Sequence, residues 1–565
     1  MINNTSTKEQ FDVIILGSGI GGSTLATVLA KQQAKVLMID KGTHPRFAIG
    51  EAITSHTEHL LSLLSHYYSV PELENLSSFK TIQENISTSA CGYKRSFGFL
   101  YHRDGKEQSP QERIQWGVGN SSHLFRQEVD HYLVKLAVKY GAKLLTNTNV
   151  VDLDIDEKEV VIKTETGEQF NANYLVDASG YNSIIAKRLN LRENPTRFKT
   201  HSRTIFTHMV GVKPVDDCLQ ANNESIMPWH HGTAHHVFDG GWMWVIPFNN
   251  HNESTNPICS VGLNLDTRQY PKTEISPEQE FQNFIARFPS IAAQFETAKL
   301  VRNWISTNRL QYSSPSCMGT RFYLLPHASG FIDPIFSPGL IQTFTTILPL
   351  AALILKAIDS NDFSSEQFAS LGQLQQEIFD YNDKIANCTY IAFTNFNLMN
   401  AWLRVWVLQH LMGGSYKLFF EQLLKLLVKD YPEHIANIEF KPKDLSQLTE
   451  INYLKNIDPR TQGWRKDFVE EAILEIEKVE KGLLSPDEAA SNIVSLINST
   501  SWLFKLGGLG QQSKHYLDIA NSKWFNKSLI TYSLWQSMNV FGRQNIKPLK
   551  LKLTDYLHGV RLKII

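Results

Sequence analysis

The sequence predicts a mixed α/β protein with a helical C-terminal region, and three features of the chain lead to this expectation. An apolar run at residues 11–16 is followed by a glycine-rich turn and a segment that suits a helix. Residues 203–265 contain short segments rich in β-branched and aromatic residues, as strands usually are. From about Asp359 onward, helix-forming and aromatic residues dominate.

Length and composition indicate a globular protein with a large core. The 565 residues are 42% hydrophobic, and 55 lysines and arginines nearly balance 56 aspartates and glutamates. This balance gives no reason to expect a nucleic acid or an anionic membrane as partner. The polar N-terminus lacks the apolar stretch of a signal peptide, and the five cysteines include no CxxC pair. We therefore predict a cytoplasmic protein with neither a disulfide framework nor a metal site.

The periodicity places the elements in order. Residues 11–16, about 22–31 and 35–39 predict a strand, a helix and a strand, which together form a βαβ unit. A helix is expected at 124–140 and a hairpin from 150–164 and 168–175. The apolar run at 340–358 contains polar residues and fits a buried helix better than a membrane span. Residues 419–428 form an amphipathic piece of the helical C-terminal region.

The turn after the first strand carries a dinucleotide fingerprint. Gly17, Gly19 and Gly22 give the spacing G-x-G-x-x-G, and Asp40 closes the second strand. The first glycine permits the tight turn, the second lets the backbone approach a pyrophosphate, and the third lets the helix pack on the strand. The phosphates would lie at the helix N-terminus, and Asp40 could accept a hydrogen bond from a ribose hydroxyl. A chance glycine-rich turn is the alternative, which the strand before it and the helix after it make improbable.

Two further segments favour FAD over a nicotinamide cofactor. Residues 176–180 (VDASG) and 331–334 (FIDP) resemble flavin-contacting segments of FAD-dependent aromatic monooxygenases. No second fingerprint follows a strand, and the glycines at 507–510 lack the required spacing. We therefore expect reduced flavin to come from a separate flavin reductase. The residues that we expect to contact FAD are Gly17, Gly19, Ile20, Gly22, Asp40, Lys41, Arg46, Ile49, Arg126, Val150, Asp177, Gly180 and Asp333.

The predicted organisation is a Rossmann-type FAD-binding α/β domain with an inserted β-rich substrate sheet and a helical C-terminal region. The FAD-binding module with its insert spans residues 1–358, the insert lies at about 200–310, and the mainly helical region spans 359–565. We find no internal repeat and no low-complexity linker between them.

Three motifs together resemble the flavin-dependent halogenases. Residues 241–247 contain W-x-W-x-I-P, residues 331–339 read FIDPIFSPG, and residues 45–51 read PRFAIGE. The resemblance covers roughly residues 10–350. It implies that Trp242 and Trp244 form a barrier that keeps the organic substrate away from the flavin while a halide enters. Taken alone, two alternating tryptophans on a strand are more often core residues.

The resemblance also implies a lysine that captures or holds hypohalous acid and delivers the halogen. The family pattern is a lysine shortly before an aromatic strand, and Lys94 fits it because Phe97 and Phe99 follow. Lys80 is the competitor, but no strand follows it. A lysine taken at random is usually a solvated surface residue. Burial would lower the pKa of such an amine, and a flexible stem would give it reach.

The sequence also departs from the family pattern. Phe336 stands where tryptophan-halogenating members carry Glu, and this resembles members that act on phenols and pyrroles. Phe99 and Phe336 are therefore expected to line the substrate tunnel. The resemblance places the halide at Ser337, Gly339 and Leu340, although Pro338 has no N–H to donate. His327 occupies a position where many flavoproteins have Asp, and it could contact the flavin phosphates.

Two polar clusters are weaker signals. His230, His231, His235 and His236 precede the tryptophans. Adjacent residues on a strand face opposite ways, so these pairs are expected to line the substrate sheet rather than bind a metal. The basic stretch at 547–563 is expected to be a solvated face, although a membrane or carrier contact is the alternative.

Together these observations predict a two-component FAD-dependent halogenase. FADH2, O2 and chloride or bromide would give hypohalous acid, which Lys94 passes to an electron-rich aromatic substrate such as a phenol. Whether that substrate is free or tethered to a carrier protein stays open. The alternatives are an FAD-dependent aromatic monooxygenase that hydroxylates its substrate directly, and a flavin-binding scaffold protein without chemistry.

Overall fold

The computed structural model describes residues 9–87, 89–220, 224–413, 445–450, 463–500 and 508–518. The predicted amphipathic piece at 419–428 and the basic stretch at 547–563 lie outside these residues. Within them the chain forms two sheets and a set of helices, so the predicted α/β class is confirmed.

The strands are, in chain order, β1 (Gln10–Leu16), β2 (Val36–Ile39), β3 (Gly92–Tyr101), β4 (Arg113–His123), β5 (Lys143–Leu145), β6 (Val150–Ile155), β7 (Val160–Thr164), β8 (Gln169–Asp177), β9 (Ser202–Val210), β10 (Thr233–Phe238), β11 (Gly241–Pro247), β12 (Cys259–Asp266), β13 (Lys299–Leu300), β14 (Ile305–Ser306), β15 (Met318–Gly319), β16 (Phe322–Leu324) and β17 (Tyr516–Asp518). The α-helices are α1 (Ile20–Lys31), α2 (Ser55–Tyr68), α3 (Phe79–Asn85), α4 (Arg126–Lys139), α5 (Ile184–Arg188), α6 (Pro277–Ile285), α7 (Pro289–Phe295), α8 (Pro326–Ser329), α9 (Pro338–Ser360), α10 (Ser365–Ala392), α11 (Phe396–Gly413), α12 (Gly463–Glu480) and α13 (Pro486–Thr500).

The first sheet contains the predicted βαβ unit. Its strand order is β15-β16-β8-β1-β2-β5, and β1 pairs in parallel with both β2 and β8. All four residues of β2 are buried, which explains why this parallel strand reads as a continuous apolar run. The helix α1 begins at Ile20, two residues before the predicted start, because the glycine turn passes directly into it.

The predicted hairpin at 150–175 is wrong in one detail. The stretch that we expected to be one strand from 150 to 164 is two strands, β6 and β7. The carboxylate of Asp156 accepts hydrogen bonds from the backbone N–H groups of Lys158 and Glu159 and so closes a turn between them. The result is a three-stranded antiparallel meander from β6 to β8.

The second sheet carries the predicted substrate strands. Its order is β13-β9-β12-β11-β10-β3-β4-β17, with β14 paired to β9. Six of these strands, β9 to β14, lie within the expected insert at about 200–310, but β3 and β4 come from residues 92–123 and β17 from the C-terminal region. The sheet therefore extends beyond the predicted insert, and the domain boundaries stay a prediction.

Helix α9 is the buried helix that the apolar run predicts. Of the helices in the described residues, α9 alone is both long enough and apolar enough to cross a membrane. However, 83% of its most apolar stretch is buried inside the protein. It packs against α1, α2 and α10. Its burial is that of a core helix that anchors the first sheet.

The C-terminal helices cover one face of the second sheet. Residues of α10, α11, α12 and α13 form one hydrophobic cluster with alternate residues of β3, β4, β10 and β11. This cluster holds Phe97, Phe99, Trp242 and Trp244 on the sheet side and Trp406 on the helix side. The region after residue 359 thus forms a roof over the predicted substrate strands.

Candidate active site

A cavity of about 890 Å³ opens at the C-terminal ends of β1 and β2. This is the place where open parallel sheets bind ligands, because helix N-termini and loops converge there. Ten of the thirteen residues predicted to contact FAD line it: Gly17, Gly19, Ile20, Asp40, Lys41, Arg46, Ile49, Arg126, Val150 and Gly180. Gly22, Asp177 and Asp333 are not in the lining.

The glycine turn has the shape that the fingerprint requires. Gly17 has φ +97°, a conformation that L side chains rarely adopt. A Cβ on Gly22 would lie 2.0 Å from the Gly17 carbonyl oxygen, so this glycine allows the helix to pack on the turn. A Cβ on Gly19 would meet no atom within 4 Å and would enter the cavity. The free N–H groups of the first turn of α1 therefore face an open space suited to a phosphate.

Asp40 lies at the edge of this cavity with its carboxylate fully engaged. It accepts hydrogen bonds from both terminal nitrogens of Arg46, from the Ser18 backbone N–H at 2.7 Å and from the Gly42 backbone N–H at 2.9 Å. Burial alone would raise the pKa of Asp40, but these donors outweigh it and hold the pKa at about 2. Asp40 is thus an anion that fixes Arg46 beside the predicted ribose position.

Arg126 and Asp177 shape the cavity wall. The Arg126 guanidinium forms a buried ion pair with Asp130 at 2.7 Å and donates to the Ile49 carbonyl at 2.6 Å. It thereby holds the 49–50 segment against the cavity. Asp177, behind the lining, accepts from the Ser179 backbone N–H at 2.9 Å and from the Ser183 hydroxyl at 2.7 Å. This carboxylate positions the loop that includes Gly180.

Asp333 is the centre of a buried hydrogen-bond network away from the cavity. It accepts from the Trp242 indole N–H at 3.2 Å, the Tyr390 hydroxyl at 2.8 Å, the Ser202 hydroxyl and the Ile335 backbone N–H. Burial raises the pKa of Asp333, and these four donors oppose the rise. The network fixes the Trp242 ring and joins helix α10 to the second sheet.

Trp244 is held by a second chain of polar groups. Its indole N–H donates to the Ser260 hydroxyl at 3.2 Å, and that hydroxyl donates to Glu51 at 3.2 Å. Glu51 also bonds to the His208 ring at 2.8 Å. Glu51 follows directly on the Ile49 segment that lines the cavity. Trp244 is therefore anchored to the segment that adjoins the predicted FAD site, whereas Trp242 is held by Asp333, away from the cavity.

Lys94 lies in β3, and its side chain is completely buried. Its Nζ has no hydrogen-bond partner and lies 4.1 Å from the centroid of the Phe97 ring. Burial lowers the pKa of Lys94 to about 7, and the negative charge of Glu58 opposes the fall. Lys94 is therefore a buried amine that can lose its proton near neutral pH. Lys80, by contrast, is 78% exposed and forms a surface ion pair with Glu84.

Glu58 is a site residue that the sequence analysis missed. It lies on α2 beside Ser121, which is the cross-strand partner of Lys94 in β4. Its Oε1 atom is enclosed without a hydrogen-bond partner, and burial raises its pKa to about 7. No local motif marks this glutamate, because its proximity to Lys94 depends on how α2 packs on the second sheet.

A row of aromatic rings leads from Lys94 to the tryptophans. The centroid of Phe97 is 5.6 Å from that of His235, His235 is 5.7 Å from Trp242, and Trp242 is 5.8 Å from Trp244. Phe99 stacks on His235 at 4.7 Å. The tunnel residues predicted from the sequence thus lie together on one face of the sheet.

Phe336 completes this cluster from the opposite side. Its ring stacks on Trp406 of α11 at 4.3 Å and meets the edge of Phe99 at 6.4 Å. Trp406 and Tyr390 lie in the C-terminal region, for which the sequence analysis found no motif. They bring the helical roof into contact with the sheet residues that the tryptophan motif identified.

The predicted halide residues lie at the start of α9. Phe336 and Ser337 both have positive φ angles, 70° and 57°, and the Ser337 N–H donates to the Pro334 carbonyl at 3.0 Å. The N–H groups of Gly339 and Leu340 lie in the first turn of α9, where no carbonyl group of the helix can accept a hydrogen bond from them. His327 lines the cavity and lies against Gly339, and so it connects this helix start to the predicted FAD site.

Comparison with known proteins agrees with this geometry. The FAD-binding-domain family model matches residues 10–303. The chain is 41% identical over 562 residues to the monodechloroaminopyrrolnitrin halogenase PrnC of Pseudomonas fluorescens, which covers 97% of this chain and 94% of that protein. It is 38% identical to the tetracycline 7-halogenase of Kitasatospora aureofaciens over 90% of both chains. The chain belongs to the flavin-dependent halogenases.

The structure of this halogenase is also similar to a solved one. The crystal structure of halogenase PltM in complex with phloroglucinol and FAD matches with a TM-score of 0.81 and 32% identity, over 90% of this chain and 99% of that chain. The likeness to known halogenases therefore extends well beyond the 10–350 region that the motifs covered. The C-terminal roof is part of what this halogenase shares with its relatives.

The halogenase binds FAD and uses halide, as its relatives and its FAD-binding domain show. The cavity fits the cofactor, because Gly19 offers open space where a pyrophosphate would lie and Asp40 with Arg46 closes the second strand. Of the three functions that the sequence left open, the halogenase is confirmed over the hydroxylase and the scaffold. The contacts of individual residues with FAD and halide stay predictions.

Proposed function

We propose that this protein is the halogenating component of a two-component system in which a separate flavin reductase supplies FADH2. Bound reduced FAD, with O2 and chloride or bromide, supplies hypohalous acid. Gly339 and Leu340 donate backbone N–H groups to the halide, and Asp40, Arg46 and the start of α1 hold the cofactor. Lys94 receives the hypohalous acid and presents the halogen to an aromatic ring.

One observation above all supports separate roles for the FAD cavity and for Lys94. Lys94 is fully buried and unpartnered among aromatic rings, and it is not part of the cavity lining. A buried amine without a partner is unfavourable unless it has a role, because burial penalises a polar group that forms no hydrogen bond. In this proposal the aromatic rings between Lys94 and the tryptophans separate a large substrate from the cofactor, and the small neutral hypohalous acid passes to the amine.

The substrate that fits this site is a small electron-rich aromatic compound. Phe336 offers no carboxylate to activate a less reactive ring, which favours phenols and pyrroles. The more similar relatives are named for pyrrolnitrin and tetracycline compounds, and a less similar one is named for a pyrrole on a peptidyl carrier protein. We therefore propose that the substrate is a free aromatic compound. Halogenation of an aromatic ring only when it is tethered to a carrier protein would contradict this proposal.

We further propose that the enzyme acts in the cytoplasm. All five cysteines are free, four of them buried, as expected of a protein in a reducing compartment.

The lysine assignment is tested by three variants, Lys94→Ala, Lys94→Arg and Lys80→Ala. We expect Lys94→Ala to bind FAD and to consume O2. The amount of halogenated product should fall by at least about a hundredfold, which corresponds to a rise of ~2.7 kcal/mol in the activation free energy of halogenation. Lys94→Arg should fail as well, because a guanidinium stays protonated and offers no neutral amine. Lys80→Ala is the matched control, since its side chain is exposed. The measurement is halogenated product formed per FADH2 oxidised.

Two outcomes would overturn the assignment. Parent-like halogenation by Lys94→Ala would remove the lysine from the mechanism. Loss of halogenation in Lys80→Ala would instead assign the lysine of the family pattern to Lys80 on α3. Hydroxylated product in place of halogenated product, in the parent enzyme, would contradict the proposed reaction itself.

A further inference from the structure

His235 is a polar ring inside the aromatic cluster that surrounds Lys94. It lies in β10, in register with Phe99 on one neighbouring strand and Trp244 on the other. Its ring stacks on Phe99 at 4.7 Å and on Phe97 at 5.6 Å, and only 3% of the residue is exposed. The sequence analysis treated this histidine as part of a wall, without a separate role.

The hydrogen bond at one ring nitrogen fixes which nitrogen carries the proton. The His235 Nδ1 atom lies 3.0 Å from the Gly98 carbonyl oxygen, and a carbonyl can only accept. Nδ1 must therefore be the donor. Burial lowers the pKa of His235 to about 3, so the ring is neutral and Nε2 keeps a lone pair. No group among the described residues donates a hydrogen bond to Nε2.

Two other buried histidines, His236 and His123, differ in this respect. In His236 both nitrogens are used, since Nδ1 lies 2.9 Å from His102 Nε2 and Nε2 lies 3.0 Å from Gln294 Oε1. In His123, likewise, Nδ1 bonds to the Pro247 carbonyl at 3.0 Å and Nε2 to the Thr233 hydroxyl at 2.9 Å. Nε2 of His235 has no hydrogen-bond partner among the described residues and is not fully enclosed, so a donor group that arrives with a substrate can reach it.

We propose that His235 recognises the aromatic substrate by accepting a hydrogen bond at Nε2 from a hydroxyl or N–H group on the ring. The inference rests on the proposed function and names the feature that a substrate must carry: a free phenolic O–H or an aromatic amine or pyrrole N–H. No proton is transferred in this contact. The hydrogen bond pushes electron density into the ring and fixes which ring carbon faces Lys94. His235 is thus the specificity-determining residue of the aromatic cluster that surrounds Lys94.

The position of His235 supports this role. Phe97 contacts both groups, since the Lys94 Nζ lies 4.1 Å from the centroid of its ring and the His235 ring stacks on it at 5.6 Å. A ring held at His235 therefore lies within the same apolar cluster as the amine. The flat Phe99 and Trp242 rings on either side suit the faces of a planar aromatic substrate.

The test compares substrates that differ only in the donor. Phloroglucinol is paired with 1,3,5-trimethoxybenzene, and pyrrole with N-methylpyrrole, because methylation removes the donor and keeps the ring electron-rich. We expect the FADH2-supplied parent enzyme to halogenate the donor-bearing member at least tenfold faster. His235→Phe keeps the stacked ring and removes the acceptor, so the preference should fall to near unity. His235→Gln, whose amide oxygen can take the place of Nε2, should restore part of it.

His236→Phe is the matched control, because His236 is an adjacent, equally buried histidine on the opposite face of the sheet. It should keep the parent's preference. If His235→Phe does not fold, His235→Asn carries the same test, since its amide can still donate to the Gly98 carbonyl but is too short to present an acceptor at Nε2. A preference that persists in His235→Phe or His235→Asn overturns the proposal, as does a parent enzyme that halogenates both members of each pair equally.

A binding experiment separates this proposal from the proposed function. The same four compounds are titrated against the oxidised, FAD-loaded enzyme by equilibrium dialysis. If no compound is halogenated although FADH2 and O2 are consumed, the proposed function fails for these rings. Tighter binding of the donor-bearing compounds that disappears in His235→Phe would still support the recognition role, and equal binding would overturn it.

Discussion

At the scale of single residues, the proposed chemistry depends on an amine that can lose its proton near neutral pH. Lys94 and Glu58 are buried side by side, and burial moves the pKa of each to about 7 from opposite directions. An ammonium cannot be halogenated, whereas a neutral amine can. The charge that Glu58 places beside Lys94 therefore controls how much of the reactive form is present.

We expect the yield of halogenated product per FADH2 to rise with pH through about 7. The Glu58 charge raises the pKa of Lys94, so Glu58→Gln removes that effect and lowers the pKa. The neutral fraction at a given pH then increases, and the profile should move toward lower pH by about one unit, the size expected of a nearby opposite charge. The measurement is the pH profile of coupling efficiency in the parent and the variant.

Glu84→Gln is the control, because Glu84 is exposed and pairs with Lys80 on the surface. His123 and His235 also face Lys94, but burial keeps the pKa of each at about 3, so neither titrates in this range. A profile that falls with rising pH would mean that the ammonium form of Lys94 is the active one. An unchanged profile in Glu58→Gln would remove Glu58 from the mechanism.

The residue scale also shows where sequence reasoning succeeds and fails. The family resemblance points to Lys94 through a local pattern, a lysine shortly before aromatic strand residues, and the role of this lysine stays a prediction. Glu58 and Trp406 were missed because they reach the site through the packing of α2 and α11 on the second sheet, and no pattern in either helix records that contact. The free acceptor of His235 likewise depends on which carbonyl meets its ring.

At the scale of elements, the turn between β1 and α1 separates two kinds of glycine. Gly22 is required by the fold, because a Cβ there would collide with the Gly17 carbonyl. Gly19 is not required by the fold, because a Cβ there would enter open space in the cavity. The spacing of the fingerprint predicts both roles, but the structure shows that only one of them concerns the protein's own packing.

This difference predicts opposite phenotypes for two variants. Gly19→Val should fold with nearly parent stability and lose FAD binding, because the side chain fills the place of the pyrophosphate. Gly22→Ala should lower the free energy of unfolding by about 1–3 kcal/mol, because the helix must shift away from the turn. Thermal unfolding and FAD titration of both purified variants measure the two effects.

Parent-like FAD affinity in Gly19→Val would contradict the fingerprint assignment. At this same scale the sequence predicted β1 and β2 to within one residue, because buried parallel strands are apolar runs. It joined β6 to β7 because Asp156 and its neighbours form a tight turn inside a segment that otherwise alternates like a strand.

At the scale of the whole molecule, one nucleotide-binding unit accounts for the first sheet. The fingerprint at 17–22 follows β1, whereas the glycines described at 508–510 form a turn that leads into β17 at the edge of the second sheet. The described residues thus contain no second βαβ fingerprint for a nicotinamide cofactor. This is consistent with the proposal that a separate flavin reductase supplies FADH2.

We expect NADPH alone to leave the visible absorbance band of the bound flavin unchanged over the time of a turnover. Addition of a separate flavin reductase with NADPH should restore halogenation. Anaerobic spectroscopy of the FAD-loaded enzyme with each addition provides the measurement. Rapid bleaching by NADPH alone would show that this chain accepts hydride directly, and the two-component proposal would be wrong.

The sequence predicted the α/β class and the helical C-terminal region. It did not predict how the C-terminal helices pack on the aromatic cluster that surrounds Lys94. The Tyr390 hydroxyl bonds to Asp333, Trp406 stacks on Phe336, and β17 adds a strand to the second sheet. These are contacts between residues far apart in the chain, and single-sequence periodicity carries no information on such pairs.

The helical roof also has a consequence for protein engineering. The cavity that fits FAD is lined by residues between positions 16 and 343, whereas Trp406 and its neighbours on α11 pack on the aromatic cluster around Lys94. The helical side of the proposed substrate site is therefore encoded apart from the residues that line the FAD cavity, whereas its sheet side, with Lys94 and His235, is not. We expect libraries confined to α11 to alter the surface offered to a new ring while leaving the lining of the FAD cavity unchanged, and the Asp333 contact to Tyr390 marks a position on α10 to keep fixed.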